Sequence, residues 1–271
     1  MKPIQILNQP IYQTADFFLP FALTDVLIED SGQQEQPYLH FWQLSQGMIL
    51  GMKDTRLPHL QKALATLPAS GYTPVVRNSG GLGVVADDGV LNISLILPVT
   101  THQLTTDAAY EKMYQLIQQA FPEVTLTPGE VATSYCPGEF DLSIQGQKIA
   151  GIAQRRIKNG VAIMLYLSVN GDQNKRGVLV RDFYHAGLKE AFGTLGYPPV
   201  DPKSMANLAD FLPEMTPAKV MKRLSAVFPQ AKSLDSRNWL KQLADTSRYE
   251  SRLASMVQRN QIIKERTDDS L

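Results

Sequence analysis

Cys136 is the residue whose type most invites chemistry, because it is the only cysteine among 271 residues. It stands in the segment SYCPG, residues 134–138, directly before a Pro-Gly pair that is typical of a turn at the surface. A structural cysteine usually lies within an apolar run, where it acts as a small hydrophobic residue. The position therefore raises two hypotheses: a nucleophilic thiol at a turn, or an inert small side chain.

Lys148, the nearest candidate for activating that thiol, belongs to FDLSIQGQKIAGIAQRR, residues 140–156, whose alternation and Gln-Gly pair predict a hairpin with its turn at 145–146. In that register Lys148 lies opposite Ser143 and shares a strand face with Asp141. The opposite, apolar face is formed by Phe140, Leu142, Ile144 and Ile149. An ammonium beside a thiol stabilises the thiolate, which would make Cys136 and Lys148 a nucleophile and its activator. Alternatively, Lys148 is a solvated strand lysine or half of an exposed ion pair with Asp141, worth little energy.

A glycine-containing loop is predicted in RNSGGLGVV, residues 77–85. Gly80 and Gly81 would let the backbone approach a ligand, and Arg77 and Ser79 supply hydrogen-bond donors for a carbonyl or carboxylate. The glycine spacing differs from that of a dinucleotide fingerprint, and no Gly-Lys-Ser/Thr of a phosphate-binding loop follows. A ligand-binding loop and a simple tight turn between two strands both stay open on this pattern.

The remaining polar residues do not indicate a metal site. The four histidines are scattered along the chain without metal-ligand spacing. His40, beside Phe41-Trp42, is interpreted as a strand residue, and His185 as a structural residue of a helix. The basic residues of the second half are Arg155, Arg156, Lys158, Lys175, Arg176 and Arg181. They form either a solvated face or, if they gather beside an active site, a docking surface for an acidic protein.

Composition places the chain among ordinary folded proteins and excludes several classes of function. Hydrophobic residues make up 44% and charged residues 19%, and 26 Lys plus Arg balance 26 Asp plus Glu. Zero net charge gives no general attraction to nucleic acid, so no nucleic-acid partner is expected. No signal-peptide pattern and no apolar stretch of membrane-spanning length is found in the sequence. Since one cysteine cannot form an internal disulfide, we expect a soluble cytoplasmic protein with no membrane partner.

The elements that would position these residues change in type along the chain, with strands in hairpins first and helices gathered towards the end. Strands are predicted at 38–51, around a turn at Gln46-Gly47, and at 72–97, 140–156 and, centrally in the sheet, 161–169. Helices are predicted at 54–67, 105–121, 177–190, 216–228 and 235–262. This order predicts an α+β fold on a mixed, mostly antiparallel β-sheet with packed helices. The expected division is a catalytic domain at 1–232 and a C-terminal helical extension at 233–271 packed on it.

Several of these segments resemble the lipoate-protein ligase and octanoyltransferase family. RNSGGLGVVADDGVLNISLIL, residues 77–97, is similar to the family's Arg-x-Ser-Gly-Gly segment, and the 140–156 hairpin is similar to its lysine-bearing hairpin. SYCPG, with LGMKDTRLP at 50–58 and RDFY at 181–184, resembles the branch that takes octanoyl groups from the glycine-cleavage H protein. The resemblance covers about residues 20–210, and the helices after about 215 match only loosely.

The resemblance implies a lipoate/biotin protein ligase-like catalytic domain with a bent tunnel for a medium-length acyl chain. It implies that Cys136 becomes an acyl thioester and that Lys148 activates the thiol. The implied substrate-binding residues are Arg77, Ser79, Gly80, Gly81, Asp141 and Gly151. The implied reaction carries octanoyl from octanoylated glycine-cleavage H protein, the donor, to the lysine of apo lipoyl domains, the acceptors, with no cofactor and no metal.

Three departures from family patterns bear on the choice of branch. ATP-dependent ligases commonly carry His-Asp where this chain has Ala86-Asp87, and they lack a cysteine at the SYC position. The Gly-Arg-Gly-Arg signature of biotin ligases is absent from the sequence. The alternatives that stay open are octanoyl transfer from acyl carrier protein, ATP-dependent lipoate ligation, and carrier binding without transfer.

Overall fold

The computed structural model describes residues 2–99, 104–235, 238–239, 241 and 247–265. The strands of the described part are β1 (Gln5–Tyr12), β2 (Tyr38–Leu44), β3 (Gln46–Leu50), β4 (Thr73–Val76), β5 (Val84–Asp87), β6 (Val90–Pro98), β7 (Thr127–Pro128), β8 (Leu142–Ile144), β9 (Gln147–Ile157), β10 (Gly160–Ser168) and β11 (Lys232–Ser233). Its main helices are α1 (Leu19–Gln34), α2 (Leu60–Ala69), α3 (Thr106–Ala120), α4 (Gln173–Leu188), α5 (Pro217–Ala226) and α6 (Ser247–Glu265).

One large sheet has the strand order β11-β1-β2-β6-β10-β9-β8-β7. The pairs β11-β1 and β1-β2 are parallel, whereas the other five neighbouring pairs are antiparallel. The predicted turn at Gln145-Gly146 joins β8 to β9, and both residues have positive φ, 51° and 82°, as a tight hairpin turn requires. The structure therefore confirms the α+β class and the mixed, mostly antiparallel sheet.

Helices cover both faces of the central strand β10, which lies between β6 and β9. Ile163 and Leu165 pack in the cluster that includes α3 and α5, whereas Ala162 and Met164 pack in the cluster that includes α1. Because side chains alternate between faces, a strand buried on both sides reads as a continuous apolar run. The prediction that 161–169 is a central strand is confirmed.

A second sheet of three strands, in the order β4-β3-β5, was not foreseen. The sequence predicted two strands around a turn at Gln46-Gly47, but the break falls at Ser45 and the two strands belong to different sheets. Gly47 is a site of close packing, since a Cβ there would lie 2.8 Å from Leu44 Cδ1. The apolar pattern does not reveal this change of partner, because both strands are buried almost throughout.

Proline decides where the first predicted surface helix begins. The predicted helix at 54–67 divides into a 3-10 helix at Asp54–Arg56 and α2, which starts only at Leu60. Pro58 lies between them and disfavours a helical conformation for the residue before it. Of the helix predicted at 235–262, residues 236–237, 240 and 242–246 lie outside the described residues, and α6 extends to Glu265.

The C-terminal segment is packed against the rest of the fold. α6 lies across α1 and reaches β4, and β11 extends the large sheet beside β1. The division of the chain at residue 232 stays a prediction. Within the described ranges, no helix has both the length and the apolar character that crossing a membrane requires.

Arg176, which the sequence grouped with surface cations, is buried in the core instead. Its guanidinium is 1% exposed, and its Nε donates to Asp87 Oδ1 at 2.7 Å. It also donates to Ser168 Oγ at 3.0 Å and to Asn207 Oδ1 at 3.1 Å. The basic residues of 155–181 are therefore not one surface, because this member connects α4 to β5 and β10. Residue type predicts exposure for arginine, whereas a paired arginine can be buried.

We predict that Arg176→Ala lowers the free energy of unfolding by about 3–5 kcal/mol, because it removes a buried cation and leaves the Asp87 carboxylate, only 14% exposed, without its partner. Lys219→Ala is the matched control: its ion pair with Glu214 is exposed, and the change should stay within about 0.5 kcal/mol. Urea unfolding measures both. A midpoint for Arg176→Ala equal to that of the control would show that the buried network contributes nothing.

Candidate active site

One cavity of about 290 Å³ brings together every site residue that the sequence singled out. It lies where α1, the large sheet and the small sheet meet. Its polar residues include Cys136, Lys148, Arg77, Ser79, Gly80, Gly81, Asp141 and Gly151. Its apolar wall includes Phe21, Ile49, Val84 and Met164. A small cavity that is apolar on one side and carries a thiol on the other suits an acyl chain bound next to a nucleophile.

Cys136 occupies a constrained turn. Its φ of 49° lies in the left-handed region, which is unfavourable for a residue with a side chain. The preceding Tyr135 is fully buried, with its hydroxyl 2.6 Å from the Tyr166 hydroxyl and accepting a hydrogen bond from Gln173 Nε2 at 3.0 Å. These contacts fix the turn from one side. The thiol is half-buried at the cavity wall, consistent with the turn predicted from the Pro-Gly pair.

Two donors from the glycine loop contact the sulfur of Cys136. The backbone N–H of Leu82 donates to Sγ at 3.1 Å, and Arg77 Nη2 lies 3.5 Å from it. Arg77 Nη2 also donates to Leu82 O at 2.9 Å, so the guanidinium and the loop hold each other. A backbone N–H and a guanidinium both stabilise negative charge on sulfur. Leu82 was missed at the sequence level, because a backbone donor leaves no trace in residue type.

Lys148 is buried, with 4% of its surface exposed, and its ammonium makes three hydrogen bonds. Nζ donates to Tyr135 O at 3.0 Å, to Cys136 O at 2.7 Å and to Asp141 Oδ2 at 2.9 Å. The alternatives of a solvated lysine and of an exposed ion pair are therefore wrong, since Asp141 is only 2% exposed. Burial raises the pKa of Asp141, and the Lys148 ammonium opposes that rise. Lys148 therefore contacts Cys136 at its backbone carbonyl.

A β-bulge turns Lys148 towards the cavity. Leu142 pairs with Ala150 and Ser143 with Lys148, so β9 carries one residue more than β8 over this step. In a regular strand, residues 148 and 151 would face opposite sides. Because of the extra residue, Lys148 and Gly151 both line the cavity, whereas Ile149 and Ala150 lie in the core. A Cβ on Gly151 would be 3.3 Å from Asp141 Oδ1 and 3.4 Å from Lys148 Cε, so glycine leaves room for the ion pair.

The glycine loop needs glycine at one of its two adjacent positions. Gly81 has a φ of 101°, and a Cβ there would lie 2.1 Å from Arg77 Nη2 and 2.9 Å from Cys136 Sγ. A Cβ on Gly80 would meet no atom within 4 Å. The loop therefore approaches the thiol closely at Gly81, which supports the ligand-loop hypothesis for this segment over a simple turn.

A buried carboxylate supports the same loop from behind. Tyr184 donates its hydroxyl proton to Asp54 Oδ1 at 2.8 Å and accepts from the N–H of Gly83 at 3.0 Å. Gly51 N–H donates to Asp54 Oδ2 at 2.7 Å. Burial raises the pKa of Asp54 from 3.8 to about 6. Neither Asp54 nor Tyr184 was singled out for a role, because their pairing joins segments 130 residues apart.

His40 is a strand residue, as predicted, and not a base of this site. It is fully buried on β2, with Thr24 Oγ1 3.3 Å from its Nδ1, and burial lowers its pKa from 6.5 to about 3. His185 lies on α4 and stacks on Phe192 with ring centroids 3.6 Å apart, consistent with a structural role. In the described part of the chain, no group of three or more His, Cys, Asp or Glu could hold a metal ion.

We predict that Gly81→Ala reduces the rate at which iodoacetamide alkylates Cys136, by at least roughly tenfold, because the new methyl group displaces Arg77 and obstructs the sulfur. Gly80→Ala is the milder companion change, since its methyl group points into open space and should cost far less. Intact mass spectrometry over time measures both rates. Equal rates for the two variants would contradict the close approach at Gly81.

We also predict a pH-dependent effect of Asp54→Asn on stability. The folded-state pKa of Asp54 lies above its unfolded value of 3.8, so the wild type is stabilised by protonation at low pH and loses that stabilisation as pH rises through about 6. The variant stays neutral. Its stability relative to wild type should therefore rise between about pH 4 and pH 6.5, by up to roughly 3 kcal/mol, and then level off. Urea unfolding of both proteins across this range is the measurement, and a constant difference would refute it.

Comparisons with known proteins find relatives over most of the chain. The family model described as lipoyl protein ligase A/B catalytic domain matches residues 16–229. An octanoyl-[GcvH]:protein N-octanoyltransferase of Anoxybacillus flavithermus is 42% identical over 245 residues, which cover 89% of this chain and 88% of that protein. A lipoyl-[GcvH]:protein N-lipoyltransferase of Listeria monocytogenes is 40% identical over 208 residues, 76% of this chain and 75% of that protein.

The likeness extends to the fold of a solved structure. The crystal structure of lipoate-protein ligase A bound with ATP superimposes with a TM-score of 0.67 at 16% identity, covering 94% of each chain. At that identity the likeness concerns the fold alone. The family match, in contrast, spans most of this sequence and includes the glycine loop, the Cys136 turn and the Lys148 hairpin. The chain belongs to the lipoyl protein ligase A/B catalytic-domain family.

Proposed function

We propose that the protein is an acyltransferase that moves octanoyl from octanoylated glycine-cleavage H protein to the lysine of apo lipoyl domains of 2-oxo-acid dehydrogenase subunits, through a Cys136 thioester. The observation that carries this proposal is the sulfur of Cys136, held by Leu82 N–H and Arg77 at the wall of an acyl-sized cavity. The relative from Anoxybacillus flavithermus carries this activity in its name. We place the reaction in the cytoplasm, where a free thiol such as that of Cys136 stays reduced.

In the first step the Cys136 thiolate attacks the carbonyl carbon of the octanoyl amide on the donor. The carbon–nitrogen bond breaks, and the donor lysine leaves as an amine after taking a proton from the Lys148 ammonium. The products are octanoyl-Cys136, a free donor lysine and neutral Lys148. Before the attack, the positive charge of Lys148 stabilises the thiolate. The two hydrogen bonds from Lys148 Nζ to the carbonyls of the turn hold the thiolate in place.

In the second step the amine of the acceptor lysine attacks the thioester carbonyl. The carbon–sulfur bond breaks, the Cys136 thiolate is restored, and Lys148 takes up the proton of the incoming amine. Asp141, 2.9 Å from Lys148 Nζ, holds the lysine in place through both steps. The protein thus ends each cycle in the state in which it began.

Backbone N–H groups would stabilise the oxyanion of both tetrahedral intermediates. The N–H of Gly138 is engaged by Asp141 Oδ2 at 3.0 Å, which leaves the loop of Ser79, Gly80 and Gly81 better placed for this task. The same loop, with Arg77, would line the acyl site. Gly151 would keep the approach to Lys148 open on the other side.

The energetics of this cycle do not demand a nucleotide. An amide is consumed and an amide is formed, so the overall transfer is close to thermoneutral. The thioester lies above the donor amide in free energy, so the acyl-enzyme should be sparsely populated. We therefore expect the transfer to need no cofactor.

Lipoyl transfer is the second candidate, favoured by the name of the Listeria monocytogenes relative. The cavity wall includes Trp42 and Asn92, and in the described structure Trp42 Nε1 and Asn92 Nδ2 are buried without a hydrogen-bond partner. A saturated chain offers these N–H groups nothing, whereas the sulfur atoms of a dithiolane ring are weak acceptors. The same site would carry out the same two steps on either acyl group.

The decisive experiment mixes the protein, without ATP, with octanoylated H protein and an apo lipoyl domain, and follows the intact mass of each carrier. We predict octanoyl transfer by the wild type and its loss in Cys136→Ala. A parallel arm with lipoylated H protein compares the two acyl groups.

Three other outcomes would overturn the proposal. Transfer only from octanoyl-acyl carrier protein would identify a different donor. Modification only with free acid and ATP, equally in Cys136→Ala, would identify a ligase. Carrier binding without any mass change would identify a binding protein.

A further inference from the structure

Asn260 of α6 makes an unusual set of contacts for a residue in the middle of a helix. It is 2% exposed, its Oδ1 accepts from the N–H of Val76 at 2.6 Å, and its Nδ2 donates to Val76 O at 3.0 Å. Nδ2 also donates to Met256 O, one turn earlier, at 2.9 Å. Asparagine is a poor helix former, so helix formation does not explain its presence here. The side chain is matched to the backbone of Val76.

Val76 is the last residue of β4, which lies at the edge of the small sheet. One side of it pairs with Leu50 of β3. The N–H and C=O on the open side of an edge strand need partners if they are buried. The Asn260 amide supplies both, as the next strand would. β4 is therefore held between a strand and a helix.

The residue that follows Val76 is Arg77, one of the two donors to the sulfur of Cys136. Its N–H donates to Leu50 O at 2.9 Å, and its guanidinium contacts Leu82 O and Cys136 Sγ. The position of the guanidinium therefore depends on where β4 ends. A shift of Val76 would be passed directly to Arg77.

α6 is anchored firmly enough to serve as a fixed support. Met256 and Ile263 are buried in the same core cluster as Val76 and Tyr135. Arg252 forms an ion pair with Glu29 of α1. The helix nevertheless lies outside residues 16–229, which the family model matches. The support comes from beyond the segment that defines the family.

We propose that Asn260 is a positioning residue of the acyl-transfer site, which acts on the Cys136 thiol through Val76 and Arg77. This inference rests on the proposed function for its role in transfer. Its geometric part, the placement of Arg77 beside the sulfur, stands apart from the identity of the carriers. α6 is thus a working part of the site and not only a covering extension.

The test uses the full-length protein and follows the pH dependence of Cys136 alkylation by iodoacetamide. Asn260→Leu keeps the packing volume and removes both bonds to Val76, so we expect the alkylation profile to move to higher pH as Arg77 moves away from the sulfur. Gln258→Ala, on the exposed side of α6, is the matched control and should leave the profile unchanged. Asn260→Ala removes the same two bonds with a smaller side chain and, if Asn260→Leu fails to fold, takes its place with a shift in the same direction.

A double-mutant cycle distinguishes action through Arg77 from general loosening. If Asn260 acts through Arg77, Arg77→Met alone and Arg77→Met with Asn260→Leu should give the same profile. Additive shifts, or a wild-type profile in both Asn260 variants, would overturn the inference.

A carrier assay adds the kinetic side. Asn260→Leu should lower kcat with little change in KM, since the acyl cavity itself is intact. A raised KM with normal kcat would contradict positioning of the nucleophile. Alkylation of Cys136 needs no carrier protein, so the two inferences can fail separately. If the alkylation profile shifts in Asn260→Leu but the wild type transfers no acyl group, the proposed function is wrong and the role of Asn260 in placing Arg77 is still supported.

Discussion

The candidate site depends on the hydrogen bonds that the buried ammonium of Lys148 makes. Its three hydrogen bonds join the turn that carries Cys136 to the Asp141 carboxylate, in a place where water is largely excluded. A buried cation is stable only when it is paired and hydrogen-bonded, and here the Asp141 carboxylate pairs the charge while the two carbonyls of the strained turn accept the other hydrogen bonds. The same contacts that make the charge tolerable therefore hold the nucleophile in its unfavourable left-handed conformation. The Lys148 ammonium thus both fixes the turn and lies close to the proposed nucleophile.

The thiol is otherwise supported by elements that lie far from it in sequence. The glycine loop reaches the sulfur, and that loop is held on one side by the Tyr184–Asp54 pair and on the other by Asn260. Each support fixes backbone groups, so the residues that contact the sulfur need not be numerous. Such a site is precise because rigid neighbours over-determine its position. Its weak point is that a distant change can disturb it without touching the cavity.

The sequence predicted the parts of the site that follow from local rules. A Gln-Gly turn defines the hairpin register, and that register placed Lys148 opposite Ser143 and on the face of Asp141, as observed. Long-range pairings were beyond it: Leu82 N–H acts through the backbone, and Asn260 pairs with a strand 184 residues away. The exposure of Arg176 was predicted wrongly, because charged side chains are usually exposed and its partners are not evident from the sequence. The change of sheet at Ser45 was missed because both strands are equally apolar.

The bulge in β9 has a consequence for recognising such sites elsewhere. Two residues of a strand that are three positions apart normally face opposite sides of the sheet. A Lys-x-x-Gly spacing in a strand would therefore not be recognised as two residues of one site. Here the spacing is meaningful only because the pairing counts two residues against one. An insertion or deletion of a single residue between Lys148 and Gly151 would turn one of these two residues from the cavity into the core. The length of this short interval is therefore as much a determinant of the site as the identity of the residues at its ends.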